Sequence, residues 1–114
     1  MSTPFSDRPI NVGVVGLGFM GLTHINAYRK IAGVEVVAVC DAVRQPVNGV
    51  LTGIAGNVAG SDTVDLGASV RAYSKIEDLL ADEAVDLVDL CLPTTLHVPQ
   101  TLAALQAGKH VICE

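Results

Sequence analysis

Apolar residues in this chain gather into short, nearly continuous runs, and the segments between them change character. The runs are Ile10 to Val15, Val34 to Cys40, Val70 to Tyr73, Val85 to Leu92 and His110 to Cys113. Runs of this kind, with little polar alternation, read as parallel strands buried on both faces. Between the first two, Met20 to Ile31 carries Leu22, Ile25 and Tyr28 near one side and reads as a helix, with Gly33 as a left-handed cap. Ser74-Lys75-Ile76-Glu77 has the S-x-x-E form of a capping box and predicts a helix over Lys75 to Ala81. Leu96 to Ala107 reads as the last helix, offering Leu102, Ala104 and Leu105 for packing and ending at Gly108.

The stretch between the second and third runs is the least regular. Pro46 and the glycines at 49, 53, 56, 60 and 67 weaken any helix there. A right-handed crossover between parallel strands ordinarily needs one, so a short helix is expected around Val47 to Asn57. Ser61 to Gly67 reads as an exposed loop, and Met1 to Pro9 as a flexible, polar leader. Strand and helix therefore alternate through residues 10–114. That pattern specifies one α/β domain with a doubly wound parallel sheet and helices on both faces. The expected strand order is 3-2-1-4-5, with a ligand crevice at the carboxyl ends of the first and fourth strands.

The first strand runs directly into Gly16-Leu17-Gly18-Phe19-Met20-Gly21, which opens the first helix. The G-x-G-x-x-G spacing divides three tasks among three glycines. Gly16 makes the tight turn, Gly18 lets a pyrophosphate approach the backbone, and Gly21 lets the helix pack closely. The helix N-terminus adds N–H groups and the positive end of its dipole. Asp41 follows Gly21 by 20 positions, at the end of the second strand. Strand, glycine turn, helix and acidic residue together make a dinucleotide fingerprint, and the sheet a Rossmann fold. A carboxylate at Asp41 suits the adenosine ribose hydroxyls and repels a 2′-phosphate, which favours NAD; Arg44 keeps NADP open as the alternative.

Composition narrows the partners. The net charge of −5 and the lack of a basic run argue against nucleic acid. No window approaches the apolar length of a membrane helix, and no signal peptide is visible, so a cytoplasmic setting is expected. Half the residues are hydrophobic and only 17% charged. That balance suggests surfaces meant for a neighbour, a homo-oligomer among them. The fifth strand would leave an apolar sheet edge open to pairing between copies. Cys40, Cys91 and Cys113 sit singly in apolar runs and read as small buried hydrophobes in a reducing compartment. His24 reads as a partly buried helix histidine and His110 as structural, while His97 opens the last helix where a nicotinamide would lie. No histidine, cysteine or carboxylate pattern has metal-ligand spacing, and no serine or cysteine shows a base partner.

Three segments resemble a known family: Val14 to Gly21 with His24, Cys91 to His97, and Ala107 to Glu114. Together they look like the N-terminal domain of the Gfo/Idh/MocA oxidoreductases, which include glucose–fructose oxidoreductase and inositol dehydrogenase. The resemblance implies hydride transfer between NAD(H) or NADP(H) and a secondary alcohol or ketone of a sugar or cyclitol. It implies pyrophosphate on the backbone of Gly18, Phe19 and Met20, and the adenosine ribose at Asp41. Leu92, Pro93, Thr94 and His97 would line the nicotinamide side, with Glu114 at its ribose. In the family, G-K-H-V-x-x-E is followed by Lys-Pro, and that lysine serves the proton transfer. The sequence ends at Glu114, before that lysine and before the family's substrate domain, so no catalytic residue is assigned. The expectation is a cofactor domain without turnover of its own. The alternatives are a stand-alone nucleotide-binding module or sensor and, less well matched in glycine spacing, a Rossmann-like methyltransferase.

Overall fold

The computed structural model describes residues 8–52 and 63–113. In chain order the strands are β1 (Ile10–Val15), β2 (Val34–Cys40), β3 (Val50–Thr52), β4 (Thr63–Asp65), β5 (Arg71–Tyr73), β6 (Leu87–Leu90) and β7 (His110–Cys113). The α-helices are α1 (Phe19–Tyr28), α2 (Ile76–Leu80) and α3 (His97–Gln106), with a 3-10 turn at Thr94–Leu96 leading into α3. Five strands form one parallel sheet in the order β5-β2-β1-β6-β7. Counted along that sheet alone, this is the expected 3-2-1-4-5.

β1 lies at the centre because both its edges are paired and both its faces are covered. Val12 and Val14 point into one core with Leu17, Leu22 and Ile25. Val15 points into the other with Leu79, Val88, Leu90 and Ala104. The first core is roofed by α1 and the second by α2 and α3, which is the doubly wound arrangement. A register shift between Val12 and Gly13 separates the two halves of the β1–β2 pairing.

Where the sequence suggested a crossover helix, the chain makes an antiparallel ribbon. β3 and β4 pair from Val50↔Asp65 to Thr52↔Thr63. Val47 and Val50 exchange two backbone hydrogen bonds of 2.9 Å across Asn48-Gly49. Both turn residues have positive φ, 50° at Asn48 and 81° at Gly49, which is the conformation that closes two-residue hairpins. Helix propensity is poor here, and the ribbon satisfies the backbone instead. The part of the expected helix that falls on residues 53–57 lies outside the described residues. Of the loop expected over Ser61 to Gly67, residues 61 and 62 lie outside the described residues, and the rest begins as strand β4 and is not an exposed loop. Val64 and Leu66 are buried, and with Leu51 they extend the core under α1.

Other boundaries shifted for local reasons. α1 ends at Tyr28, three residues before the expected end, as Lys30 and Ile31 bond back to Ala27 and Tyr28 in tighter turns. Gly33 then adopts φ 84°. The Ser74 capping box does not form, because Lys75 is the N-cap and makes no side-chain cap bond. Burial of Ile76 and Leu79 sets the helix phase one residue later, which moves Glu77 off the third helical position. β6 is shorter than its apolar run, although Asp86 and Cys91 extend its backbone bonding to Asn11 and Val15. α3 ends as expected at Gly108. The Gly108 N–H bonds to Leu105 and the Lys109 N–H to Ala104, the paired closure of a Schellman motif. Leu102 and Leu105, expected to pack, are exposed; only Ala104 of the three reaches the core. Arg8, from the segment read as leader, forks onto Asp86 with bonds of 2.6 and 2.8 Å.

Candidate cofactor site

The three glycines of the turn are distinguished by what surrounds them. Gly16 has φ 97°, and a Cβ there would overlap the Cys91 carbonyl. Its N–H donates to the Cys40 carbonyl at 2.8 Å, so the turn is pinned between β2 and the exit of β6. A Cβ on Gly21 would overlap the Gly16 carbonyl, which is how closely α1 seats against the turn. At Gly18 a Cβ would meet nothing within 4 Å. The fold therefore does not need glycine at 18, and the space above it is open. Gly18 is the N-cap of α1 and no side chain caps it. The first helical bond runs from Leu22 N–H to Gly18 at 3.1 Å, so the N–H groups ahead of it have no partner within the helix. Phe19 and Met20, in this first turn, are both exposed.

Asp41 stands beside the turn at the end of β2. Its Oδ2 accepts the Leu17 N–H at 2.9 Å, and its Oδ1 accepts the N–H groups of Val43 and Arg44 at 2.9 and 2.8 Å. Burial pushes this carboxyl up, but the N–H groups of Arg44, Leu17 and Val43, with the Arg44 charge, outweigh it and hold it below its ordinary value. The carboxylate thus braces the glycine turn from within the protein. Arg44 reaches the same turn from outside, donating from Nη1 to the Leu17 carbonyl at 3.1 Å.

These elements enclose a crevice of about 510 Å³ at the carboxyl ends of the strands, lined by Val15, Gly16, Cys40, Asp41, Leu92 and Pro93 among others. Its volume and mostly apolar lining with one carboxylate suit a small-molecule site. A hollow of larger volume, about 840 Å³, is lined only by α1 and the turn after it, from Thr23 to Ile31, and is no crevice of the sheet. On the far side of the crevice, Leu92 and Pro93 lead into the 3-10 turn that starts at Thr94. His97 folds back so that its Nε2 donates to the Leu92 carbonyl at 2.7 Å, which fixes the path of this loop. Cys40 is buried, and burial raises its thiol to about 11, so it is neutral near pH 7. Glu114 lies outside the described residues. Gly16 to Gly21, Asp41 and Leu92 to His97 are thus gathered at one end of the sheet.

One grouping had no signature in the sequence. Asp89, in the middle of β6, is fully buried on the α1 face. Its Oδ2 accepts from the Tyr28 hydroxyl at 2.6 Å and lies 2.6 Å from His24 Nδ1. Cys91 Sγ is 3.4 Å from both His24 Nδ1 and Asp89 Oδ1. The pairs His24/Tyr28, at i,i+4, and Asp89/Cys91, at i,i+2, each share a face of their element, but nothing in the sequence pairs α1 with β6. Of the cysteines expected to be buried hydrophobes, only Cys40 is buried; Cys91 is half-buried in this polar group and Cys113 is exposed.

A parallel doubly wound sheet with a glycine turn, a free helix N-terminus and an acidic residue after β2 defines a dinucleotide-binding Rossmann domain. Residues 10–114 match the family model of the GFO_IDH_MocA oxidoreductases, described as an oxidoreductase family with an NAD-binding Rossmann fold, and the chain belongs to that family. Inositol 2-dehydrogenase of Corynebacterium glutamicum is 33% identical over 110 residues, covering 94% of this chain and 28% of the relative. A protein named glycosyl hydrolase family 109 protein, from Shewanella sp. strain W3-18-1, is 28% identical over 105 residues, covering 92% of this chain and 22% of the relative. The WlbA dehydrogenase of Bordetella pertussis, solved in complex with NADH and UDP-GlcNAcA, superposes with a TM-score of 0.70 at 28% identity, covering 96% of this chain and 28% of that one. The chain thus spans about a quarter of the length of the relatives it matches. NAD is the cofactor of this domain family. No helix among the described residues is long and apolar enough to cross a membrane.

Proposed function

We propose that these residues form the cofactor-binding part of an oxidoreductase acting on a secondary alcohol, or the matching ketone, of a sugar or cyclitol. The observation that carries the reading is the open space over Gly18 at the uncapped N-terminus of α1, two residues after Gly16, which lines the crevice. The nicotinamide supplies hydride transfer. In this reading the α1 backbone holds the pyrophosphate, and Asp41 holds the turn and offers its remaining lone pair, on Oδ2, to the adenosine ribose. Leu92, Pro93 and Thr94, with the loop held by His97, shield the nicotinamide side, and Glu114 sits at the nicotinamide ribose. NAD is preferred, with Arg44 the residue through which NADP would be admitted. The names of the inositol dehydrogenase and WlbA relatives support the polyol and sugar substrate class.

Proton transfer must accompany hydride transfer. Cys40 is neutral and Asp41 is occupied by three N–H groups. Neither suits the role of proton acceptor, and in this reading these residues supply cofactor binding without turnover of their own. Calorimetry with NAD(H), followed by incubation with NAD and a panel of sugars and cyclitols, tests both statements. Absence of NAD binding by folded protein overturns the cofactor site. A steady rise in NADH absorbance, from protein free of any longer form, overturns the claim of no turnover.

A further inference from the structure

The buried group between α1 and β6 has a geometry that neither cofactor binding nor core packing calls for. His24, Asp89 and Cys91 each offer one donor atom, and these atoms lie within 4.8 Å of one another. None of the three side chains belongs to the lining of the crevice. A thiol, an imidazole and a carboxylate invite comparison with a nucleophilic relay. In a relay the imidazole takes the thiol proton on one nitrogen and is oriented through the other. Here Nδ1 faces both partners, at 2.6 Å from Asp89 and 3.4 Å from Cys91, so the relay is ruled out. Three different donor atoms gathered this closely are what a cation can use.

We infer that His24 Nδ1, Asp89 and Cys91 Sγ form a site for a divalent cation of the zinc type. Mixed sulfur, nitrogen and oxygen donors match zinc and disfavour magnesium and calcium, which take oxygen ligands. Tetrahedral zinc sets its nitrogen and oxygen ligands about 3.3 Å apart, and nitrogen and sulfur about 3.5 Å apart. The contacts of Cys91 Sγ stand at 3.4 Å, to His24 Nδ1 and to Asp89 Oδ1, while His24 meets the other carboxylate oxygen, Oδ2. The His24–Asp89 pair has to open by about 0.7 Å and one carboxylate oxygen has to turn to the ion, which displaces the protons now held between these groups. Tyr28 holds the carboxylate in place through its hydroxyl bond to Oδ2. His24 is 17% exposed and Cys91 half-buried, which leaves a route for the ion. The ion would brace α1 against β6 directly below the glycine turn, since the Cys91 backbone abuts Gly16.

The test is titration of the reduced, chelator-treated 114-residue chain with cobalt(II), followed by competition with zinc. The expected result is a near-ultraviolet thiolate-to-cobalt charge-transfer band that saturates at one ion per chain and is displaced by zinc. Cys91→Ser removes the band, Tyr28→Phe weakens binding about ten-fold, and Cys40→Ser and Cys113→Ser leave it intact. Absence of the band, or its loss in Cys113→Ser with retention in Cys91→Ser, overturns the site. X-ray absorption on the zinc-loaded native chain decides the matter without any variant. One sulfur and two or more lighter donors support the site, and a shell of light donors alone overturns it.

Discussion

A single methyl group would act differently at each glycine of the turn. At Gly18 it enters open space, so Gly18→Val should fold normally and lose NAD affinity by about ten-fold or more, close to 1.4 kcal/mol. At Gly21 it meets the Gly16 carbonyl, and Gly21→Ala should cost about 1–3 kcal/mol of stability through overpacking. Urea unfolding alongside calorimetry separates the two effects. Unchanged NAD affinity in a folded Gly18→Val protein would remove the pyrophosphate assignment. Asp41 predicts a mixed outcome. Asp41→Ala strands the N–H groups of Leu17, Val43 and Arg44, so stability should fall by about 1–2 kcal/mol while the preference for NAD over NADP narrows. Paired dissociation constants at fixed ionic strength, with a urea midpoint, check it. Tighter NADP binding by the native chain would show Arg44 to be the deciding residue.

Among the elements, the β3–β4 ribbon rests on its hairpin. Gly49 needs positive φ, and a Cβ there would overlap the Gly67 carbonyl, so Gly49→Ala should destabilise the domain by about 1–3 kcal/mol. Urea midpoints decide this, with Asn48→Gly as a near-neutral control at the other positive-φ position. The ribbon also marks the limit of what the sequence reveals. The five sheet strands were legible because each is written as a continuous apolar run, although only the inner strands are buried on both faces and the edge strands β5 and β7 are largely exposed. The ribbon was not, because its glycines count against a helix without saying what replaces it. A signal was present in Val47-Asn48-Gly49-Val50, since Asn-Gly between two valines is a strong short-range hairpin pattern. The glycine turn and Asp41 were legible because their partners lie at fixed spacings. The His24, Asp89 and Cys91 group was not, because 65 residues separate His24 from Asp89 and only the finished sheet brings them together.

For the molecule as a whole, acid should be the sensitive direction. Asp41, Asp82 and Asp86 are all held below their ordinary value of 3.8. At Asp82, burial pushes upward and is outweighed by bonds from Arg71, Tyr73 and the Ala84 N–H. At Asp86, the Arg8 fork is the largest influence and lowers it. A carboxyl lowered in the folded state binds fewer protons there than in the unfolded chain. Its stabilisation is complete above the unfolded value and disappears as pH falls through the folded one. Thermal midpoints should therefore be level above about pH 5 and fall below it. Asp82→Asn should lower the plateau and flatten the fall, and a slope identical to the native chain's would count against this account. β7 adds a second property of the whole, since Ile112 is exposed on the edge strand of the sheet. Association should rise with concentration and diminish in Ile112→Lys, as read by light scattering.

The central place of β1 has a consequence for how the chain folds as it leaves the ribosome. β1 is made first, yet one of its two edges pairs with β6, whose residues follow more than 70 positions later. Until Leu87 to Leu90 emerge, that edge of the central strand has no partner, and neither His24 nor Tyr28 has its carboxylate. Synthesis should therefore pass through a long interval in which β1 and β2 are paired on one side only, a state open to aggregation and to chaperone capture. Nascent chains stalled before residue 87 should be cut rapidly in β1 by protease. Chains stalled with β6 and β7 clear of the exit tunnel should be protected, and equal protection of the two would show that β1 is secured without its later partner.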